Sequence, residues 1–244
     1  SGAAPEAELV IVKLKPAKEY LRELYLIPPE AEVFQEDDIM LGISYAIKCA
    51  LRYQKPLSVC VGLGSSQGSH RGDGPLSQYI SSIADFTQNC VSVAAGNEGL
   101  ARRHYMGLLD EKTTSDILEL RVGAKEAVHG FSMEFWGEAS DFYHVTIQSP
   151  TGERLQVSSA LKYGTQELSF VFVETKVMVN YVPIERRSGN TLIFFRFLHP
   201  AEGIWKLETS GRLNSSARFH VWLPVQGMIS EETYFLESSP EYTV

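Results

Sequence analysis

The sequence has no long hydrophobic run and no excess of basic charge. No apolar stretch in its 244 residues approaches the roughly 18 that a membrane-spanning helix needs, so we expect no membrane partner. The net charge is -8 at pH 7 and the isoelectric point is about 5.3, which leaves no basic face for nucleic acid. A hydrophobic content of 44% predicts a globular chain with a sizeable core.

Signatures of metal sites and disulfides are also missing. The three cysteines, Cys49, Cys60 and Cys90, cannot all pair within one chain and form no C-x-x-C motif, so we expect reduced, buried thiols. The six histidines show neither H-x-x-x-H nor H-E-x-x-H spacing. We therefore predict no bound metal and no cofactor.

The first hundred residues alternate strand-like and helix-like segments. Apolar runs at 8–14, 56–63 and 90–95 are typical of buried parallel strands. Between them, residues 36–54 and 76–86 carry apolar side chains at helical spacing. This order predicts an α/β fold class for the first half, with a partial parallel β-α-β-α-β sheet and right-handed crossovers.

From about Ile117 the apolar period changes to two. Phe131, Met133 and Phe135, for example, alternate with polar residues, and turn sequences such as Ser149-Pro150-Thr151-Gly152 separate the runs. The pattern predicts about eight or nine short strands without intervening helices, as in an all-β jelly roll or β-sandwich. The predicted domains are 1–114, the α/β part, 115–226, an inserted jelly-roll β-sandwich, and 227–244, a return segment.

Two loops with glycine follow the second and third predicted strands, where α/β proteins gather functional residues. The first is Gly62-Leu63-Gly64-Ser65-Ser66, and the second is Ala94-Ala95-Gly96-Asn97-Glu98-Gly99. Neither is a P-loop or a dinucleotide fingerprint. Taken alone, each could be an ordinary turn in which glycine supplies a positive φ.

Taken together, these segments resemble the subtilisin-like serine protease family. The stretch V-S-V-A-A-G-N-E-G is similar to that family's V-V-V-A-A-A-G-N-E-G, and P-L-S-V-C-V-G-L-G resembles its I-N-M-S-L-G strand. The opening G-A-A-P-E-A-E-L, followed by V-K-L, resembles a third family segment in the same order and spacing. Q-E-D-D-I-M-L-G-I-S-Y-A-I, G-P-L-S-Q-Y-I-S-S-I-A and E-G-I-W-K-L-E resemble the clostridial Csp-type branch, which carries a jelly-roll insertion.

The resemblance implies peptide-bond hydrolysis by a Ser-His-Asp triad. Asn97 matches the oxyanion-hole asparagine, whose side-chain amide donates a hydrogen bond to the developing oxyanion. Gly62, Leu63 and Gly64 match the segment that binds the substrate backbone as an added strand, although the family usually has Ser in place of Gly62. On the residues alone, Asn97 could instead support a left-handed turn before Gly99.

The family's triad motifs, D-T/S-G, H-G-T-H and G-T-S, do not occur in these 244 residues. We therefore expect a central fragment of a serine endopeptidase, inactive by itself, whose opening Ser1-Gly2-Ala3-Ala4 follows the missing histidine segment. The implied partner is a peptide or protein substrate, with self-association through the incomplete protease portion. The resemblance suggests a bacterial protein that is exported or associated with spores.

Two other functions stay open. The Csp-type branch includes pseudoproteases with degenerate triads that act in spore-germination signalling, and the triad positions lie outside this sequence. Alternatively, the β-sandwich could bind carbohydrate if Trp136, Trp205 or Trp222 presents an exposed ring for stacking on sugars. The tripeptide Arg71-Gly72-Asp73 spells an adhesion motif, but three-residue matches are common by chance.

Overall fold

The computed structural model of this chain describes residues 4–86, 88–138, 142–158, 164–212 and 216–238. They form two compact units. The smaller unit consists of the stretch through Lys18 together with Glu32–Leu63 and Gly74–Ala94, and the larger consists of Glu19–Ala31, Gly64–Asp73 and the chain from Ala95 onward. Residues 1–3 of the predicted first domain and residues 239–244 of the predicted return segment lie outside the described residues.

The described residues form helices, mostly short, and many strands. The helices are α1 (Glu19–Tyr25), α2 (Glu36–Tyr53), α3 (Pro75–Ala84) and α4 (Ala124–His129), with a 3₁₀ helix at Glu98–Leu100. The strands are β1 (Leu57–Val61), β2 (Asn89–Val93), β3 (His104–Leu109), β4 (Ser115–Val122), β5 (Phe131–Gly137), β6 (Phe142–Gln148), β7 (Arg154–Gln156), β8 (Thr165–Ser169), β9 (Lys176–Val182), β10 (Thr191–Leu198), β11 (Gly203–Arg212), β12 (Ala217–Trp222) and β13 (Tyr234–Phe235). None of the helices in this part of the chain is long and apolar enough to cross a membrane.

The smaller unit packs α2 and α3 against one face of the parallel pair β1–β2. Helix α2 begins with three acidic residues that complement the helix dipole, and it ends at Gln54, which adopts a left-handed conformation with φ 53°. Helix α3 begins with Pro75, whose fixed φ suits a first helical position. Ile43, Val61 and Ile83 are the buried residues of the small core.

The predicted α/β fold class is wrong. Most of the strand residues lie in antiparallel sheets, and β1 and β2 are the one parallel pair among the described strands. Residues 8–14, predicted as the first strand of the β-α-β-α-β unit, belong to no strand, and Leu9 and Ile11 are 82% and 83% exposed. Instead, residues of this segment line a cavity of about 800 Å³ together with α2 and β1. An apolar run becomes a buried parallel strand only where neighbours pair with it and cover it, and no described strand pairs with this one.

The expectation of buried thiols is also wrong for two of the three cysteines. Cys60 on β1 and Cys90 on β2 are exposed, and Cys49 on α2 is half-buried. Both exposed thiols occupy the strand positions that alternate with the core-facing residues Val59 and Val91. Because helices cover only one face of the two-stranded sheet, its other face stays in solvent.

The larger unit contains two antiparallel sheets that enclose one core. The six-stranded sheet has the order β3-β12-β5-β10-β9-β8, and the five-stranded sheet has the order β13-β4-β11-β6-β7. Their inward side chains form a single buried cluster, in which Phe197 of one sheet contacts Trp205 of the other with ring centroids 5.6 Å apart. Helix α4 interrupts the strands between β4 and β5, contrary to the expectation of no intervening helix. The described part of the predicted return segment contributes β13, which pairs with β4.

Strand β5 differs from the alternation that its sequence predicts. Phe131, Met133 and Phe135 face the core as expected, but Ser132 and Glu134 between them are buried as well. The outer face of this strand is therefore covered, and residues 64–73 provide part of that cover through a hydrogen bond from Gly68 to Glu134.

Candidate functional site

Asn97 lies in the loop that follows β2, immediately before the 3₁₀ helix. Its backbone has φ -124° and ψ 9°, whereas Gly96 beside it has φ 90°. The left-handed position of this loop is therefore the glycine, which rules out a left-handed turn as the reason for asparagine at position 97. The Asn97 side chain is exposed and makes no capping hydrogen bond to the 3₁₀ helix. Its amide is thus available to a bound molecule.

A cavity of about 370 Å³ adjoins Asn97 in the larger unit. It is lined by Asn97, Glu98, Leu100, Ala101, Arg102, Arg103, Gln226, Glu231 and Tyr234. The lining combines two guanidinium groups, two carboxylates and two side-chain amides, so it presents both hydrogen-bond donors and acceptors. Such a polar recess suits a peptide-like group better than a purely apolar ligand.

A buried ion pair fixes the floor of this cavity. Arg103 is buried, and its Nη1 forms a short charge-assisted contact with Glu98 Oε2. The other carboxylate oxygen of Glu98 accepts a hydrogen bond from the Gln226 backbone N–H at 3.1 Å. Glu98 is the first residue of the 3₁₀ helix, so these contacts hold the backbone next to Asn97 in one arrangement.

The rim of the cavity carries a second arginine. Arg102 has a left-handed backbone with φ 54°, and its guanidinium carbon lies 5.5 Å from the centroid of the Tyr234 ring, a cation–π contact. The Phe235 N–H donates to the Arg102 carbonyl at 2.9 Å, which ties β13 to this rim. The unusual backbone of Arg102 is therefore held by contacts on both its main chain and its side chain.

The predicted substrate segment follows the carboxyl end of β1. Gly62, Leu63 and Gly64 are all exposed, and a Cβ atom added to either glycine would meet open space. Neither glycine is therefore required by a close approach of another part of the chain. Gly62 and Leu63 belong to the smaller compact unit, and Gly64 and Asn97 belong to the larger one.

A polar cluster on the outer face of the six-stranded sheet is absent from the sequence-based expectations. Ser66 Oγ donates to the Leu223 carbonyl at 2.6 Å. Glu134 Oε2 accepts hydrogen bonds from the Gly68 N–H and from Trp136 Nε1, both at 2.8 Å. Burial raises the pKa of the Glu134 carboxyl, and these two hydrogen bonds only partly oppose that effect.

Three histidines and a tryptophan form a stack beside Glu134. The Trp222 ring lies between the rings of His70 and His104, each with a centroid separation of 3.8 Å. His104 Nε2 lies 3.0 Å from His220 Nδ1, within hydrogen-bonding distance. Desolvation is the main influence that lowers the pKa of both His70, whose ring packs on Trp222 although the residue as a whole is exposed, and His220. Spacing motifs could not reveal this cluster, because the pairing of β12 with β3 and the path of residues 64–73 bring its members together.

Trp136, Trp205 and Trp222 are all buried. The hypothesis that one of them offers an exposed ring to sugars is therefore wrong. Trp205 lies in the core, Trp136 donates to Glu134, and both faces of Trp222 are covered by histidine rings. Among the described residues, no group of three or more His, Cys, Asp or Glu side chains is arranged to hold a metal ion.

Comparison with solved structures finds a protease that shares this fold. The chain superposes on the CspB protease of Clostridium perfringens with a TM-score of 0.74 and 24% sequence identity. The match covers 86% of this chain but only 43% of that protein, so the chain spans less than half the length of its structural neighbour. No protein-family model matches the sequence, and comparison with curated proteins finds no match.

Proposed function

We propose that this chain is part of a subtilisin-like serine endopeptidase, in which the Asn97 side chain stabilises the oxyanion. The backbone of Gly62 to Gly64 would bind the substrate peptide in extended form. The Ser-His-Asp triad would be supplied by parts of the protein outside these 244 residues, since the family's triad motifs do not occur here.

The observation that carries this proposal is the state of Asn97 within its motif. The A-A-G-N-E-G sequence resembles the oxyanion loop of the family, and its asparagine is exposed, not left-handed and not engaged in capping. The ion pair of Glu98 with Arg103 holds the adjacent backbone, which is the preorganisation that oxyanion stabilisation requires. The shared fold with a clostridial protease supports the same proposal.

The test is the kinetics of the full-length protein that contains this chain. Asn97→Ala removes the amide donor, and we expect kcat to fall about 10²- to 10³-fold, the size of effect known for subtilisin itself, with KM nearly unchanged. Asn97→Asp keeps the shape but replaces the donor by an acceptor, so it should lose as much activity. Asn180→Ala, which removes an asparagine of strand β9, is the matched control and should leave kcat unchanged.

Two results would contradict this role. An effect of Asn97→Ala on KM alone would indicate ground-state binding and not transition-state stabilisation. Full activity of Asn97→Asp would show that no donor is needed at this position. Reading the complete gene for H-G-T-H and G-T-S motifs decides between an active endopeptidase and the pseudoprotease alternative, because a degenerate triad would leave the loop without a reaction to catalyse.

A further inference from the structure

We call residues 64–73, a loop between β1 and α3, the docked loop. The docked loop belongs to the larger unit, although Leu63 before it and Gly74 after it belong to the smaller one. Contacts along its length attach it to the outer face of the six-stranded sheet. They are the hydrogen bonds Ser66 Oγ to Leu223 O (2.6 Å), Gly68 N to Glu134 Oε2 (2.8 Å) and Arg71 Nη1 to Asn190 Oδ1 (3.4 Å), and the stacking of His70 on Trp222.

The hydrogen bonds of the stack limit how many protons it can hold. His70 Nε2 lies 3.1 Å from the Ser66 carbonyl oxygen, which can only accept, so Nε2 carries the proton of the neutral ring. Between His104 Nε2 and His220 Nδ1, one nitrogen must donate and the other accept. Protonating both of these rings would direct two N–H groups at each other and break their bond.

The planar faces of the stack impose a second limit. One imidazolium ring over Trp222 would gain a cation–π attraction. His70 and His104 stack on the same buried indole ring, so charging both places two cations across a single ring. Like charges at such a separation repel, although solvent at the exposed His70 weakens the repulsion. The stack thus tolerates one proton better than three.

The elements that carry these histidines and their contacts also carry charged residues. They are Glu134 and Glu138 on and beside β5, Arg218 on β12, Arg103 before β3 and paired with Glu98, and Arg71 and Asp73 in the docked loop. For His220, burial lowers the pKa most, Glu138 raises it and Arg218 lowers it. For His70, burial again lowers the pKa most, the bond to the Ser66 carbonyl raises it, and His220 lowers it.

The direction of these shifts fixes the sign of the pH dependence. His70 lies on the docked loop and binds a proton more weakly there than in water, so its protonation favours release. The stabilising contribution of the neutral His70 ring is complete above the ordinary histidine pKa of 6.5 and is lost as the pH falls below that value. A proton on His220, which stays in the sheet, acts on the loop through its charge, which lowers the pKa of His70 further. Glu134, whose pKa is raised from the ordinary value of 4.5, has the opposite dependence and does not cause release.

We propose that the docked loop is a pH-sensitive latch, held on the outer face of the six-stranded sheet at neutral pH by the His70–Trp222–His104–His220 stack and released when these histidines are protonated. This inference does not depend on the proposed peptidase activity. It adds that the docked loop, which begins at the end of the exposed segment Gly62 to Gly64, loosens in mildly acidic solution.

Amide hydrogen exchange of the 244-residue chain tests the latch. Exchange is measured at about pH 7.5 and about pH 5.5 and corrected for the intrinsic pH dependence of amide exchange. We expect amides of the docked loop, Gly68 above all, to exchange severalfold faster at the lower pH, because release of the loop opens the hydrogen bond from Gly68 N to Glu134 Oε2. Amides in strand β10, which lies within the same sheet, should show no such change.

Variants of the stack make the test specific. His70→Phe keeps an aromatic ring over Trp222 but cannot be protonated, so its docked loop should stay protected at both pH values. His220→Asn keeps a hydrogen-bonding group near His104 without the titration, and it should reduce the response to pH. His129→Gln alters an exposed histidine on α4 and should respond like the native chain.

Three outcomes would overturn the proposal. The first is equal protection of the docked loop at both pH values in the native chain. The second is a native-like acid response in His70→Phe. If His70→Phe loses protection at both pH values because the ring fits poorly, the decision rests on His220→Asn, and an undiminished acid response there would also refute the latch.

Discussion

The two compact units differ in how completely the helices and strands within each unit bury their apolar side chains. In the larger unit, 27 described hydrophobic residues form one buried cluster between two sheets. In the smaller unit the buried cluster consists of Ile43, Val61 and Ile83, while Leu51 and Phe86 are 73% and 68% exposed. Burial contributes about 25 cal/mol per Å² of apolar surface, so the sandwich holds most of the hydrophobic stabilisation. A two-stranded sheet covered on one face cannot close a core as two facing sheets can.

The distribution of reporter residues makes this contrast measurable. Trp136, Trp205 and Trp222 and all six histidines belong to the larger unit, whereas Cys49, Cys60 and Cys90 belong to the smaller one. Tryptophan fluorescence therefore reports on the larger unit, and thiol reactivity reports on the smaller.

The largest expected effect comes from one substitution made in both units. Ile193 on β10 is fully buried, and Ile43 on α2 is nearly so. Ile193→Ala should lower the free energy of unfolding by about 4 kcal/mol, because closely packed sheets cannot collapse around the cavity. Ile43→Ala should cost about 2 kcal/mol, since its partly exposed neighbours can move into the space. Urea denaturation followed by fluorescence, together with amide exchange of β10 and α2, measures both.

The contrast between the units holds only if fluorescence and amide exchange in α2 respond to different substitutions. Ile193→Ala should shift the fluorescence transition, and Ile43→Ala should speed exchange in α2 while leaving that transition in place. If Ile43→Ala shifts the fluorescence midpoint as far as Ile193→Ala does, the chain unfolds as one cooperative body and the contrast between the units fails.

Local patterns predicted the sandwich strands well where a single covered face decides their structure. Tyr143, Val145 and Ile147 alternate in sequence and are buried alternately in β6. The same reasoning failed for Glu134, because residues 64–73 cover the outer face of β5 and period two contains no information on such cover. It failed for residues 8–14 because a strand depends on pairing partners that lie elsewhere in the chain.

The candidate site also has one part that the sequence could reveal and one part that it could not. The loop around Asn97 could be found from the sequence because its motif is contiguous. The histidine stack could not, since residues 70, 104 and 220 meet only through long-range contacts. Sequence signals can therefore suggest candidate groups that share a loop, and tertiary structure is needed to find clusters whose members do not.

A smaller loss of stability is expected at a buried carboxylate of the larger unit. Glu126 on α4 accepts hydrogen bonds from Ser230 N at 2.8 Å, from Ser230 Oγ at 2.7 Å and from Thr233 Oγ1. Glu126→Gln turns an amide N–H₂ toward these donors, so the free energy of unfolding should fall by about 2 kcal/mol. Lys125→Gln on the exposed side of the same helix is the control, with no change expected in the urea midpoint. A native-like midpoint for Glu126→Gln would mean that this segment is held by packing alone.

The smallest effect, and one of opposite sign, is expected at Glu134. Because burial raises the pKa of this carboxyl, its protonated form suits the folded chain better, and its stabilising contribution is lost as the pH rises through the raised value. Glu134→Gln imitates the protonated form and keeps an oxygen that accepts from Gly68 N and Trp136 Nε1. At neutral pH we expect a gain in stability of at most about 1 kcal/mol, with Glu202→Gln, at an exposed position of the same unit, unchanged. A clear loss of stability in Glu134→Gln would show that the hydrogen bonds of the charged carboxylate stabilise the folded chain by more than its burial costs. A polar contact outside the hydrophobic core would then be one of the strongest interactions of the larger unit.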